Sequence, residues 1–327
     1  MTGVLVTGGA GFIGSHVADA LLQRGERVTV VDDLSSGRRA NVPSGATFVK
    51  GDLAEPGVAD RALAGCDRVV HCAARPSVAL SVEDPLASNR ANLEASTRLL
   101  LASRAADVRR VVYSSSSAVY GGTDESPADE ARREAPLSPY GMNKLAAEQL
   151  FRMAPALWGV DTFCLRYFNV YGPRQDPGSP YSGVISLFIT AALAGRAPVI
   201  HGDGRQSRDF TYVGDVVAAN LAALDLSSGE GRVANVGRGE STTILDLWEA
   251  VAAACGRAGL RATHAAPRAG DIRHSRAATA RAREWLGLAA RTPLDEGLRL
   301  TVAWYRSAPS GGSPEDAGLR PAGPTSR

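Results

Sequence analysis

Val4-Leu5-Val6-Thr7-Gly8-Gly9-Ala10-Gly11-Phe12-Ile13-Gly14 decides the fold. Val4 to Thr7 read as a short buried strand, and Ile13, Val17, Ala20 and Leu21 then recur at helical spacing. The glycines therefore sit where a strand ends and a helix begins. Free backbone N–H groups and the positive end of the helix dipole attract a pyrophosphate there. Gly8 and Gly11 allow a tight turn and close approach of a ligand, and Gly14 lets the helix lie against the sheet. A glycine triplet alone also describes an ordinary strand–helix turn, so its surroundings carry the reading. A second strand, Val28-Thr29-Val30-Val31, ends in Asp32, 24 residues after Gly8. An acid at about that distance holds the adenosine ribose hydroxyls of a dinucleotide. Asp32 repels a 2′-phosphate, which favours NAD over NADP, and Arg38 and Arg39 soften that preference.

The rest of the chain fits an α/β protein. Its 327 residues suffice for one large domain and a smaller one. With 44% hydrophobic and 21% charged residues it has the composition of a soluble globular enzyme. A net charge of +2 gives no case for a nucleic-acid or membrane surface. A strand opening at Val4 leaves no room for a signal peptide, and no apolar run approaches a membrane span. Cys66, Cys72, Cys164 and Cys255 form no C-x-x-C pair. Cys72 and Cys164 fall in predicted strands and read as buried thiols, which suits a reducing cytoplasm. His16, His71, His201, His264 and His274 show no metal-ligand spacing, so no metal is expected.

Strands are predicted at 4–7, 28–31, 47–49, 69–72, 111–114 and 161–166, with helices near 12–24, 56–64, 89–104 and 139–157. Such alternation predicts a Rossmann-type, doubly wound parallel sheet over residues 1–166 with ligands at the carboxyl ends of its strands. A Gly- and Pro-rich loop near 171–180 then leads into a smaller α/β substrate-binding domain, 167–306. That domain is assigned a helix near 183–194, strands near 198–201 and 232–236, and helices near 243–257 and 295–306. The stretch 209–226 is expected to pack back on the first domain. The tail, 307–327, is rich in Pro, Gly, Ser and Ala and reads as disordered.

Ser138-Pro139-Tyr140-Gly141-Met142-Asn143-Lys144 looks like a helix start, with Ser138 as cap and Pro139 in the first turn. Tyr140 and Lys144 are four apart and project from one face. An ammonium beside a phenol lowers its pKa, as does a bound nicotinamide cation, and a base near neutrality can take a proton from a sugar hydroxyl. Taken alone, Y-x-x-x-K is most simply a surface pair. Downstream of a dinucleotide loop it reads as chemistry. The strand Val111-Val112-Tyr113 ends in Ser114-Ser115-Ser116-Ser117, which sets a hydroxyl at the carboxyl end of the sheet. Spacing does not say which serine acts, and a serine-rich strand exit also serves backbone groups.

The glycine loop, the run Ser114-Ser115-Ser116-Ser117-Ala118-Val119-Tyr120-Gly121 and Tyr140-x-x-x-Lys144 together resemble the extended short-chain dehydrogenase/reductase family. Within it the chain is similar to the nucleotide-sugar 4-epimerases of the UDP-galactose 4-epimerase type, from about residue 3 to 306. The resemblance implies Ser116 as the catalytic hydroxyl, Tyr140 as the base and Lys144 as its partner and ribose contact. It implies NAD held by Gly8, Gly11, Phe12, Ile13 and Gly14 at the pyrophosphate and by Asp32, Asp33 and Gly37 at the adenosine ribose. Asp52 and Leu53 fall at the adenine; Ala73, Ala74, Asn92 and Tyr167 line the cofactor. For a UDP-sugar it implies Asn169, Gly183, Val184 and Val199, with Arg208 and Arg268 on the diphosphate and Asp271 near the nucleoside ribose. His201 stands where an aromatic residue stacks on uracil, and Ser275 where the C2 substituent is gated. A small residue there leaves room for an N-acetyl group. Homodimers through the helices near 89–104 and 139–157 are also implied.

The reaction implied is NAD-dependent inversion at C4 through a transient 4-keto sugar. A dehydratase of the family carries an Asp-Glu pair where this chain has Ser117-Ala118, and a decarboxylase a glutamate where it has Ala118. UDP-glucuronate stays open, with Arg75 and Arg174 as candidate carboxylate partners, although Asn169 and Asp176 fit the neutral-hexose type. A non-catalytic NAD-binding regulator would lack the tyrosine or lysine, and both are present.

Overall fold

The computed structural model describes residues 3–121, 127–176, 183–267, 272–288 and 291–307. Its first half alternates strands and helices: β1 Gly3–Thr7, α1 Phe12–Gln23, β2 Arg27–Asp32, β3 Thr47–Lys50, α2 Val58–Leu63 and β4 Cys66–His71. Then come α3 Val78–Glu83, α4 Pro85–Asn89, a π turn at Arg90–Glu94, α5 Ala95–Ala105, β5 Arg110–Ser116, α6 Pro139–Trp158 and β6 Asp161–Tyr167. The second half holds β7 Val170–Tyr171, α7 Val184–Leu193, β8 Val199–His201, β9 Ser207–Arg208, β10 Thr211–Tyr212, α8 Val213–Asp225 and β11 Arg232–Val236. It closes with β12 Thr242–Thr243, α9 Ile244–Ala254, β13 Thr263–Ala265, α10 Ala280–Leu286 and α11 Leu294–Ser307.

Seven strands form one sheet in the order β3-β2-β1-β4-β5-β6-β11, every pairing parallel. Successive residues such as Val4, Leu5 and Val6 are all buried because helices cover both faces. One face packs on α1, α8 and α10 through Val17, Leu21, Val216, Ala219 and Leu286. The other packs on α2, α5 and α6 through Ala62, Leu99, Ala147 and Phe151. Strand order reverses between β1 and β4, which opens a crevice at their carboxyl ends. The doubly wound parallel sheet read from the sequence is therefore the architecture found.

Three readings are corrected. The strand at 232–236, assigned to the smaller domain, is the edge strand of the main sheet, because Arg232–Val236 pair in register with Phe163–Tyr167. The predicted strand 69–72 ends at His71, so Cys72 lies just beyond β4 and is only half-buried. The single helix expected near 89–104 is α4, the π turn and α5 in succession. A second core joins α7, α9 and α11 through Ile189, Leu247, Trp248, Leu298 and Val302. Residues 308–327, most of the tail, lie outside the described residues. Among the described residues no helix is long and apolar enough to cross a membrane.

Candidate active site

The glycine loop is built so that nothing fills it. Gly8 turns at φ +65, and a Cβ there would come within 2.7 Å of the Ala73 backbone. A Cβ on Gly14 would meet Gly8 O at 2.3 Å, so α1 could not start so close to the strand. No side chain caps α1, which leaves its positive end for an anion. Phe12 and Ile13 open that helix. Asp32 closes β2 with both oxygens on the loop and its exit, accepting from Ala10 N at 3.0 Å and Leu34 N at 2.8 Å. Burial raises its pKa above the ordinary carboxylate value, and these backbone bonds oppose the rise. Gly37 packs where a Cβ would lie 2.8 Å from Asp32 Oδ1. The empty turn, the uncapped helix and the acid at its flank fit a dinucleotide.

Further along the strand ends, Asp33 is spent locally on Ser35. Asp52 holds Ala54 N and Arg90, and Leu53 is buried beside it. Ala73 N donates to Thr7 Oγ1, and Ala74 follows half-buried. Asn92 is fully buried at the centre of the π turn and accepts from Arg75 N at 2.9 Å. A π turn widens a helix locally and often marks a functional position. Tyr167 ends β6 with its hydroxyl 3.0 Å from Ser114 Oγ and 2.8 Å from Asn220 Nδ2.

Ser138 accepts from Gly141 N at 3.1 Å and Pro139 opens α6, as the sequence predicts. Tyr140 and Lys144 face β5. Lys144 Nζ donates to Ser114 O at 2.8 Å and sits 5.0 Å over the Tyr113 ring. Burial lowers Lys144 to about 8. Tyr140 departs from the sequence reading: in the protein alone burial raises its pKa, and only a hydrogen bond with Ser116 opposes the rise. The ammonium is engaged with a backbone carbonyl rather than with the phenol, so its field is not what dominates.

The structure sorts the four serines. Ser114 meets Tyr167, and Ser115 donates to Glu148 at 2.6 Å inside the core. Ser116 reaches Tyr140 and also accepts from Ala118 N at 3.1 Å. Ser117 lines a cavity of about 130 Å³ together with Asn169, Phe168, Arg208, His274 and Ser275.

Asn169, Arg208 and Ser275 are thus brought together. Asn169 holds a left-handed φ of 29° while its Nδ2 donates to Asp209 O at 3.2 Å. The Asp209 carboxylate, fully buried, accepts from the backbone N–H of Arg238, Gly239 and Ala277. Ser275 N donates to Ser207 O at 3.1 Å, which sets it beside Arg208. Gly183 caps α7, Val184 begins it, and Val199 is exposed on β8. His201 donates through Nδ1 to Ala266 O at 3.1 Å; none of these four lines the cavity. Arg268 and Asp271 lie outside the described residues. Arg174 pairs with Asp19 on α1 at 2.6 Å, which occupies one of the two arginines considered for a sugar carboxylate.

The sequence reading passed over the groups beneath the site. Arg166 and Glu148, both fully buried, form a two-point pair at 2.9 and 2.6 Å, and Glu134 adds a third contact at 2.6 Å. The Arg166 guanidinium also lies 4.7 Å over the Tyr120 ring. The signal was present: an arginine inside Phe163-Cys164-Leu165-Arg166-Tyr167, and a glutamate four residues beyond Lys144 on the same helical face. His71 is another such group. Its Nδ1 meets Thr7 Oγ1 at 2.7 Å and its Nε2 meets Ser96 Oγ at 2.9 Å, and burial lowers its pKa to about 3. Because Ser96 donates to Asn92 O at 2.6 Å, the neutral ring donates from Nε2 and accepts at Nδ1.

The sequence pattern of the NAD dependent epimerase/dehydratase family matches residues 4–237. The chain belongs to that family. Its cofactor is NAD, and the resemblance read from the glycine loop, the serine run and Tyr140-x-x-x-Lys144 holds. A UDP-glucose 4-epimerase of Mycolicibacterium smegmatis is 40% identical over 310 residues, 93% of this chain and 98% of the relative. Among solved structures, the UDP-glucose 4-epimerase of Thermotoga maritima with UDP-glucose superposes with a TM-score of 0.89 at 38% identity, covering 93% of this chain and 98% of its own. The UDP-N-acetylglucosamine 4-epimerase of Methanobrevibacter ruminantium, in complex with UDP-N-acetylmuramic acid, gives 0.88 at 39%, covering 94% and 98%.

Proposed function

We propose that this enzyme inverts C4 of a UDP-hexose with a resident NAD. The observation that carries the reading is the meeting of Ser116, Tyr140 and Lys144 at the carboxyl end of β5, beside the glycine cradle on one side and the cavity of Asn169, Arg208 and Ser275 on the other. A bound NAD would supply the reversible hydride chemistry at C4. Tyr140 takes the 4-hydroxyl proton and later gives it back, and Ser116 holds the reacting oxygen and the phenol in line. Lys144 fixes the end of β5 through the Ser114 carbonyl and supplies positive charge at the nicotinamide ribose. Arg208, with Arg268 of the sequence reading, grips the diphosphate while the sugar turns.

Ser117 and Ala118 offer no acid to expel water and no carboxylate to assist decarboxylation. The 4-keto sugar is therefore left with reduction as its outcome. Ser275, small and in the cavity, supports acceptance of UDP-N-acetylhexosamines beside UDP-glucose and UDP-galactose. A cytoplasmic homodimer completes the reading. Leu101 on α5 and Met142, Met153 and Leu157 on α6 are exposed apolar residues on the two helices such a dimer would pair. Mixing the purified protein with a panel of UDP- and dTDP-sugars, with no cofactor added, tests the proposal. Products differing only at C4 support it, and loss of water or carbon dioxide rejects it.

A further inference from the structure

The segment Gly172–Asp176 leaves β7 on the substrate side of the molecule, yet it is fastened to the cofactor side. His16 Nε2 donates to Pro173 O at 2.9 Å. Arg174 Nη1 pairs with Asp19 on α1 at 2.6 Å. Asp176 Oδ2 pairs with Arg38 at 3.0 Å, and Arg38 is itself tied through its backbone N–H to Ala10 O of the glycine loop. The root of the segment is anchored from elsewhere: Tyr305 of α11 donates to Gln175 O at 2.9 Å, and Gln175 Nε2 to Val170 O at 3.3 Å. Gly172 has φ +155, and a Cβ there would lie 2.5 Å from Val213 Cγ1 and 3.6 Å from the Phe12 ring. Arg174 holds a left-handed φ of 67°, a conformation that persists in a non-glycine residue where its surroundings over-determine it.

Five residues thus attach to both flanks of the pyrophosphate cradle, to α1 through His16 and Asp19 and to the β2–β3 connection through Arg38. The two ion pairs thus fall on α1 and on the β2–β3 connection, the elements that carry the sites read for the pyrophosphate and for the adenosine ribose. We propose that Gly172–Asp176 is a clamp that retains NAD between turnovers, with Asp19–Arg174 and Arg38–Asp176 as its two latches. The inference rests on the reading of NAD as resident. It assigns work to Asp19, Arg38, Arg174 and Asp176, which the chemistry at C4 does not use. It also gives Arg38, six residues beyond Asp32, a partner other than a 2′-phosphate: Asp176.

The test is the rate at which NAD leaves the loaded protein, followed by extraction and absorbance during dialysis, at low and high sodium chloride. Asp19→Asn and Asp176→Asn are close in shape to the native residues and sit at partly exposed positions, and thermal melting checks that they fold. Each is expected to speed release about threefold and the pair together about tenfold, in keeping with partly exposed ion pairs. Salt should speed release from the native protein and have little further effect on the double variant. Arg38→Met must reproduce Asp176→Asn. Release from the double variant at the native rate would overturn the clamp. Immediate loss of NAD from the native protein would instead overturn residency, and the clamp with it.

Discussion

Lys144 donates through Nζ to the carbonyl oxygen of Ser114 at 2.8 Å, inside the core and at the end of the strand that carries Ser116. One buried ammonium therefore ties α6, which carries Tyr140, to β5, which carries Ser116. Its burial lowers its pKa from 10.5 to about 8. A base with a folded pKa below its unfolded one binds fewer protons when folded, so its effect on stability improves as pH rises from about 8 to 10.5. Replacing Lys144 by Met removes that penalty but leaves Ser114 O unpartnered. Net stabilisation of about 2 kcal/mol at pH 7 is expected, shrinking toward pH 10, with activity abolished. Urea unfolding at the two pH values checks this, and a variant less stable than native at pH 7 contradicts it.

Tyr140 titrates above the ordinary phenol in the protein alone because burial outweighs its Ser116 hydrogen bond. The proposed role of Tyr140 as base then calls on the positive ring of bound NAD to bring its pKa down. Ultraviolet titration of cofactor-free protein should show no Tyr140 ionisation below pH 10, and loading with NAD should bring one tyrosinate to lower pH. Tyr140→Phe must erase that change. An unshifted titration on loading would remove the electrostatic role given to the cofactor.

Ser115 and Ser116 are neighbours with different work. Ser115→Ala strips a hydrogen bond from the buried Glu148 carboxylate and should cost about 2 kcal/mol of stability with turnover largely kept. Ser116→Ala should lower kcat about 100-fold with little change in melting temperature. The two measurements together distinguish the residues, and a reversed pattern would exchange their roles.

Much of this site was legible in the sequence. The glycine loop, Asp32 and Tyr140-x-x-x-Lys144 are local patterns whose backbone spacing fixes their geometry, and α6 begins where Ser138 and Pro139 place it. The choice among Ser114, Ser115 and Ser116 was not legible, because it depends on which side of β5 meets α6 and β6. Glu148, Arg166 and Asp209 escaped notice for the same reason: their partners are 18 to 68 residues away. The edge strand Arg232–Val236 was misplaced because a short apolar run carries no mark of the sheet it joins. The rise in Tyr140 pKa was missed because spacing gives the nearness of Lys144 but not where its proton points.

Arg166→Met leaves Glu148 buried without its partner. A loss of about 3–5 kcal/mol is expected, and Arg166→Met with Glu148→Leu together should recover part of it. Denaturant unfolding of the single and double variants measures both. A single variant of near-native stability would mean that the pair contributes nothing beneath the site.

Ser275→Tyr should fill the space beside Asn169 and Arg208. Turnover of UDP-N-acetylglucosamine should fall at least tenfold relative to UDP-glucose, a difference within reach of one occluded pocket. Paired rate measurements on the two substrates check it, and an unchanged ratio would take Ser275 out of substrate choice.

The most direct test of the central claim uses UDP-galactose deuterated at C4, purified enzyme and no added cofactor, followed by NMR. C4 inversion through a hydride held on resident NAD predicts UDP-glucose with deuterium still at C4. Release of the label to solvent, or no interconversion of the C4 epimers, would contradict it.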